Sequence, residues 1–353
     1  MQKTVPKPLS TLLCRIIVAC VGFTLLLTHA AVAESFWHDP VTTIAPQHMT
    51  VAAPAGSGEI PIYLSADWTH RLPGISRAVI LIHGIDRNAA VTMRGLEAAR
   101  LSAGMQGQAA LLIVPQFLVP VDVRTFGLPP TTLRWGIDAW SEGNPASEPA
   151  AISSFEVLDA ILQRLADPAI LPDLKEVVLA GHSAGGQMIQ RYAVVSRDSP
   201  SLAARSIHVR YVVANPSSYL YFSDDRPRPV DAAACPRFNR WRYGLTDAPP
   251  YVGATTGLEA RYAARTVIYL LGTADNDPNH IALDKSCAGE AEGPYRLARG
   301  QAFFAYFKAR HPDMTTQHLA LVPGVGHSSG RMFGSVCGVA ALFDRPGCPG
   351  LVQ

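Results

Sequence analysis

Short apolar runs alternate with longer amphipathic stretches along most of this chain. Residues 78–82 (AVILI), 110–114 (ALLIV), 177–180 (VVLA), 209–214 (VRYVVA), 267–271 (VIYLL) and 318–322 (HLALV) have strand length and β-branched content. Between them, residues 91–103, 153–166, 184–197 and 296–310 repeat apolar positions at helical intervals. Runs that are apolar throughout suit strands buried on both faces, and interleaved helices suit parallel connections. The pattern predicts an α/β chain whose mostly parallel, twisted sheet is flanked by helices. Residues 49–52 and 59–64 are expected to add an antiparallel edge, and 330–343 a closing helix.

Two stretches break this rhythm. Residues 116–152 are rich in Pro, Gly and Trp and contain Trp135 and Trp140. Residues 215–262 hold eight aromatics: Tyr219, Tyr221, Phe222, Phe238, Trp241, Tyr243, Tyr251 and Tyr262, twice the 8% density of the whole chain. Such an insertion either covers a cleft as a lid or closes on a small core of its own. Both readings stay open from sequence.

Composition narrows the class. With 48% hydrophobic and 16% charged residues in 353, the chain has too much apolar content for disorder and enough length for a sizeable core. Thirty Lys and Arg face 28 Asp and Glu, so no basic surplus points to nucleic acid. The start reads as an address instead. Lys3, Lys7 and Arg15 precede an apolar run at 16–27, and Ala31-Val32-Ala33 supplies a small-x-small cleavage pattern. The run is about 12 residues against the roughly 20 that cross a bilayer, which favours a cleaved signal peptide at 1–33 over an anchor. A single domain at 34–353 would follow, exported to the periplasm or the medium. It would carry 27 basic against 28 acidic residues, a net charge of −1.

Cysteine usage agrees with export. Cys14 and Cys20 leave with the signal, and Cys235, Cys287, Cys337 and Cys348 remain. An even count in an oxidising compartment suggests two disulfides. Of the three possible pairings, Cys337–Cys348 with Cys235–Cys287 is favoured. The first closes a short C-terminal loop and the second ties the insertion to the rest. No C-x2-C spacing exists, which argues against zinc.

The chemistry centres on Gly181-His182-Ser183-Ala184-Gly185, which follows an apolar strand and opens a helical segment. A serine hydroxyl must stand clear of the backbone to act as a nucleophile, and glycines two before and two after allow the tight strand-to-helix turn this requires. The bare pattern is not specific: Gly326-His327-Ser328-Ser329-Gly330 repeats it. Ser328, however, follows a loop and has no histidine after it, so Ser183 is the candidate.

A serine nucleophile needs a base, and the base an orienting carboxylate. Asp275, in Gly272-Thr273-Ala274-Asp275, leaves a predicted parallel strand at the edge where sites form in open α/β sheets, with Asp277 the near alternative. His327 follows the last strand at that same edge. Backbone N–H groups of Ala184 and of the loop His83-Gly84-Ile85-Asp86 are the expected oxyanion donors, Ile85 before Asp86. His83 is expected to hold that loop. Asp86, Trp135, Trp140, Asn215 and Ser217 are expected to line the pocket.

Taken in the order Ser, Asp, His, each after its strand, these residues resemble the α/β-hydrolase superfamily over roughly residues 49–343. The resemblance implies a central twisted sheet, acyl-enzyme chemistry and no cofactor. It does not name a substrate, and there is no HGGG run of the kind some esterases carry. The expectation is an exported serine hydrolase acting on carboxylic esters of small or polymeric acyl substrates. An amidase or peptidase, or a polyester depolymerase, with the same triad comes next. A non-catalytic binding protein of this fold and a metal site at Asp275, Asp277 and His280 are more remote.

Overall fold

Among the described residues of the computed structural model, eight strands form one sheet in the order β1-β2-β4-β3-β5-β6-β7-β8. They are β1 (Gln47–Ala53), β2 (Gly56–Leu64), β3 (Arg77–Ile82), β4 (Ala110–Pro115), β5 (Glu176–His182), β6 (His208–Ala214), β7 (Thr266–Gly272) and β8 (Gln317–Val322). The first two strands pair antiparallel with each other, and β2 pairs antiparallel with β4; all other neighbours are parallel. The structure describes Gln2, residues 38–197 and residues 199–351. The expected signal peptide at 1–33, with Cys14 and Cys20, lies outside the described residues apart from Gln2. Two units divide at Pro40, and the sheet with its helices lies in the second, Val41–Gln353.

Strand residues alternate between two cores, as a pleat requires. Ile80, Ile82, Ile113, Leu179, Val213 and Tyr269 face one, with α2 (Ser154–Leu165), α3 (Ala184–Val195) and α4 (Arg296–Arg310) packed on that side. Val79, Leu81, Leu112, Ala180, Val212 and Leu270 face the other, covered by α1 (Ala89–Ser102) and by α5 (Ser329–Gly334) and α6 (Val336–Phe343). This two-sided burial is why the central strands are apolar without alternation. Ser153 starts α2 with a capping box: its hydroxyl accepts from Phe155 N–H at 3.1 Å, and Glu156 accepts from Ser153 N–H at 2.7 Å.

The expected closing helix is two helices, not one. Ser335 takes extended backbone (φ −70°, ψ 163°), and its hydroxyl accepts from Gly338 N–H at 3.0 Å, capping α6. A serine offers this local alternative to helical hydrogen bonding, which the apolar period alone does not reveal. Among the described residues no helix is long and apolar enough to cross a membrane.

The stretch 116–152 is compact. Asp122, in the short helix Pro120–Thr125, is fully buried and anchors it. Its carboxylate accepts from Val41 N–H and Val119 N–H, both at 2.9 Å, and pairs with the buried guanidinium of Arg87 at 2.9 Å. Both expected disulfides are present, Cys235–Cys287 and Cys337–Cys348.

The Arg87–Asp122 pair yields a stability prediction. Asp122→Ala removes the carboxylate that pairs with the buried Arg87 guanidinium and leaves the N–H groups of Val41 and Val119 without this acceptor. We expect a loss of about 3–5 kcal/mol in urea-induced unfolding. A loss under about 1 kcal/mol would mean that Arg87 is not held by this carboxylate.

Candidate active site

Parallel pairing sets Ile82, the last residue of β3, against Gly181 near the end of β5. The chain runs from β3 to β4 on one side and resumes at β5 on the other, so the carboxyl ends of β3 and β5 flank a topological switch point. Ser183 occupies this crevice with φ 59°, in the left-handed region where a non-glycine residue carries strain on the order of 1–3 kcal/mol. Its own N–H donates to Ala214 O at 3.0 Å, tying the turn to β6. The adjacent glycines leave no room for side chains. A Cβ on Gly181 would lie 2.2 Å from Gly185 O, and one on Gly185 2.4 Å from Ile82 O. The turn exists because both are absent.

Asp275 and His327 arrive on laced loops. Gly324 N–H donates to Thr273 Oγ1 at 2.9 Å and Ala274 N–H to Val325 O at 3.0 Å, joining the loop after β7 to that after β8. A Cβ on Gly272 would sit 2.2 Å from Val325 O, so this approach also requires glycine. The lacing brings three side chains into one chain of hydrogen bonds. Ser183 Oγ lies 2.9 Å from His327 Nε2, and His327 Nδ1 lies 2.8 Å from Asp275 Oδ2. With the carboxylate accepting, Nδ1 carries the proton and Nε2 is left to accept from the hydroxyl. Asp277 stays out of this chain, exposed and accepting from Asn279 N–H at 2.8 Å. Ser328, the rival serine, caps α5.

On the other side of Ser183 lies the loop after β3. A Cβ built on Gly84 would be 4.0 Å from Ser183 Cβ, so this backbone runs directly beside the serine. His83 holds it: Nδ1 donates to Gly84 O at 2.8 Å, and Nε2 accepts from Phe117 N–H at 3.0 Å. Burial pushes the His83 imidazole down to about 4, so it stays neutral in this role. Arg87 donates to Ile85 O at 3.3 Å from its seat on Asp122. Ile85 is half-buried and Asp86 exposed, while Ala184 is the first residue of α3, where helix N–H groups have no partner within the helix.

His327 is set among charges and rings. His182 lies at a ring-centre distance of 4.6 Å and His280 at 4.9 Å, while Arg296 reaches within 3.5 Å of Asp275 Oδ1. Burial lowers the proton affinity of His327 below the ordinary histidine range, and the hydrogen bond to Asp275 opposes that shift. Burial likewise keeps His182 far below that range and lowers His280. Neutral imidazole is the form a proton acceptor needs.

His182 and Arg296 are not singled out from sequence, and His280 is named there only as a remote metal ligand. A cue for Arg296 exists, since a cation at the first position of a helix opposes the helix dipole. His182 and His280 carry none, because nothing local says which way a loop imidazole turns.

Four residues expected to line the pocket are framework instead. Trp135 and Trp140 are 0% exposed: Trp140 packs on His83 at 4.7 Å, and Phe117 lies 5.6 Å from Trp140 and 5.3 Å from Trp135. Large rings in a Pro- and Gly-rich segment gain more by closing its core than by facing water. Asn215 is fully buried and accepts from Gly272 N–H at 2.9 Å. Ser217, buried too, donates to Ala282 O at 3.2 Å.

The aromatic surplus of 215–262 is largely spent on packing. Tyr219 stacks on Phe303 at 4.7 Å, and Tyr262 meets Phe307 at 5.1 Å, both on α4. Cys235 and Tyr243 close a small cluster with Ala288, flanked by Val230 and Phe238. Among the described residues no group of three His, Cys, Asp or Glu side chains is arranged to hold a metal ion, and Asp275 is engaged by His327 and Arg296.

No protein-family model and no curated protein matches the sequence. Solved structures do. Poly(aspartic acid) hydrolase-1 from Sphingomonas sp. KT-1 is 23% identical with a TM-score of 0.53, over 82% of this chain and 96% of that one. LpqC, a poly(3-hydroxybutyrate) depolymerase from Bordetella parapertussis, is 19% identical with a TM-score of 0.59, over 88% of this chain and 93% of that one. At these identities the likeness is one of fold. With its strand order, its serine at a strand-to-helix turn and these structural neighbours, the chain has the fold of the α/β-hydrolase superfamily.

Proposed function

We propose that this protein is an exported serine hydrolase that cleaves carboxylic esters through an acyl-enzyme on Ser183. The observation that carries the reading is the unbroken hydrogen-bond chain from Ser183 Oγ through His327 to Asp275. Ser183 attacks the acyl carbonyl as its proton passes to His327 Nε2. Asp275 holds the imidazole in the Nδ1–H tautomer and stabilises the imidazolium. The N–H groups of Ala184 and Ile85 receive the negative charge on the carbonyl oxygen. His327 returns the proton to the departing alkoxide, which leaves as the alcohol. Water then gives a proton to His327 and attacks the acyl group, and collapse of the second tetrahedral intermediate frees the acid and Ser183.

The lowered proton affinity of His327 supports this assignment, since the base is neutral at ordinary pH. The oxygen leaving group makes esters the first substrate class, because an amide nitrogen departs only once it is protonated. Export is supported by the signal pattern in 1–33 and by two disulfides.

Ser183→Ala is expected to lower kcat on the order of 10⁴-fold or more while the unfolding transition is retained. A fluorophosphonate probe should label the wild-type protein and not the variant. Turnover in Ser183→Ala at the wild-type rate would end the proposal. Panels of matched esters, anilides and polyesters decide the bond cleaved: faster anilide than ester turnover would replace the esterase reading with an amidase.

The pH profile carries a further sign. Activity needs neutral His327, so kcat/KM should rise with pH through the histidine ionisation, with its half-maximum below the ordinary value of 6.5. An acid limb centred above pH 7 would contradict a base whose charged form is disfavoured by burial.

A further inference from the structure

The proposed chemistry does not use Arg296, yet this residue touches it. Arg296 is the first residue of α4, where no side chain caps the helix and the dipole disfavours a cation. Its side chain is completely buried, which is costly for a guanidinium unless each donor finds a partner. Its three nitrogens reach two segments that converge on the site. Nε donates to Ser217 Oγ at 3.0 Å in the segment leaving β6. Nη2 donates to Ala282 O, and Nη1 lies 3.5 Å from Asp275 Oδ1, both in the segment leaving β7. The other oxygen of Asp275 is the one that holds His327. An apolar residue of similar volume would fill this space at lower cost, so packing alone does not account for the charge.

We propose that Arg296 is a positioning residue for the hydrolysis: it engages Oδ1 of Asp275 so that Oδ2 stays directed at His327 Nδ1. The inference rests on the serine hydrolase reading above. Its second effect is electrostatic. His327 is faced by Asp275, which favours its charged form, and by Arg296, His182 and His280, which disfavour it. Around Arg296 itself stand Asp275, Asp277 and Arg299. Removing the guanidinium charge therefore makes His327 easier to protonate and moves the acid limb of activity to higher pH.

The test compares Arg296→Gln and Arg296→Lys, with active sites counted by a fluorophosphonate ester and kcat expressed per labelled site. For Arg296→Gln we expect kcat to fall about 10–100-fold, as misplacement of a catalytic group does, with the acid limb of kcat/KM displaced upward. Arg296→Lys keeps the charge without the fork and should restore the limb while recovering kcat only in part. Variants that lose thermal stability but keep the wild-type kcat per labelled site and the wild-type limb would show a purely structural role and overturn the proposal. If Arg296→Gln does not fold, Ser217→Ala removes one anchor of the guanidinium. It should lower kcat per labelled site with KM unchanged, and an unchanged kcat would overturn the proposal equally. Failure of the hydrolase reading shows elsewhere, as a wild-type protein that the probe does not label at Ser183.

Discussion

The turn at Ser183 works because two side chains are missing. β5 ends and α3 begins within one residue, and backbone atoms of Gly181, Gly185 and Ile82 approach to distances that no Cβ tolerates. The reversal holds the serine at positive φ, and its N–H is used on the neighbouring strand. A residue in that conformation persists only where its surroundings over-determine it. Here they do: β3 lies on one side, β6 on the other, and the whole of α3 is buried behind it. The site therefore inherits its precision from the middle of the sheet rather than from flexible loops.

Two buried ion pairs stand behind this turn, one on each side. Asp122 with Arg87 fixes the loop that runs beside Ser183, and Asp275 with Arg296 backs the imidazole. Buried charges are poor sources of net stability but strict about geometry, since every lone pair and proton needs a partner. Asp122 meets that demand with two backbone N–H groups as well as a guanidinium; Asp275 meets it with an imidazole and a guanidinium. Between the pairs sit three neutral imidazoles, His83, His182 and His327, all with proton affinity lowered first by burial. Buried charge thus stands on either side of these imidazoles, and His327 between them is left uncharged.

Much of the architecture was readable from the chain. Continuous apolar strands required a sheet covered on both faces, and the alternation of Ile80 and Val79, or Leu179 and Val178, between two cores is the form this cover takes. The G-x-S-x-G turn was readable because its glycines answer a local steric demand, and its duplicate at Ser328 was separable because no strand leads into it. Less was readable where the cause is non-local. Trp135, Trp140, Asn215 and Ser217 looked like pocket residues because they sit in irregular segments at the right edge of the sheet, and burial there is a property of packing partners far away in sequence. The break at Ser335 was hidden for the opposite reason: its apolar neighbours keep their helical spacing across a residue whose hydroxyl ends one helix and starts the next.

The division has a physical basis. Periodicity, turn sterics and cysteine count act over a few residues, so the amino-acid sequence alone determined the α/β alternation, the serine turn and the candidates Asp275 and His327. Selection of Asp275 over Asp277, the rings of His182 and His280 beside His327, and the seat of Arg296 behind Asp275 depend on loops 50 to 150 residues apart. Only the folded sheet, by bringing the ends of β5, β6, β7 and β8 to one edge, decided which of those side chains meet.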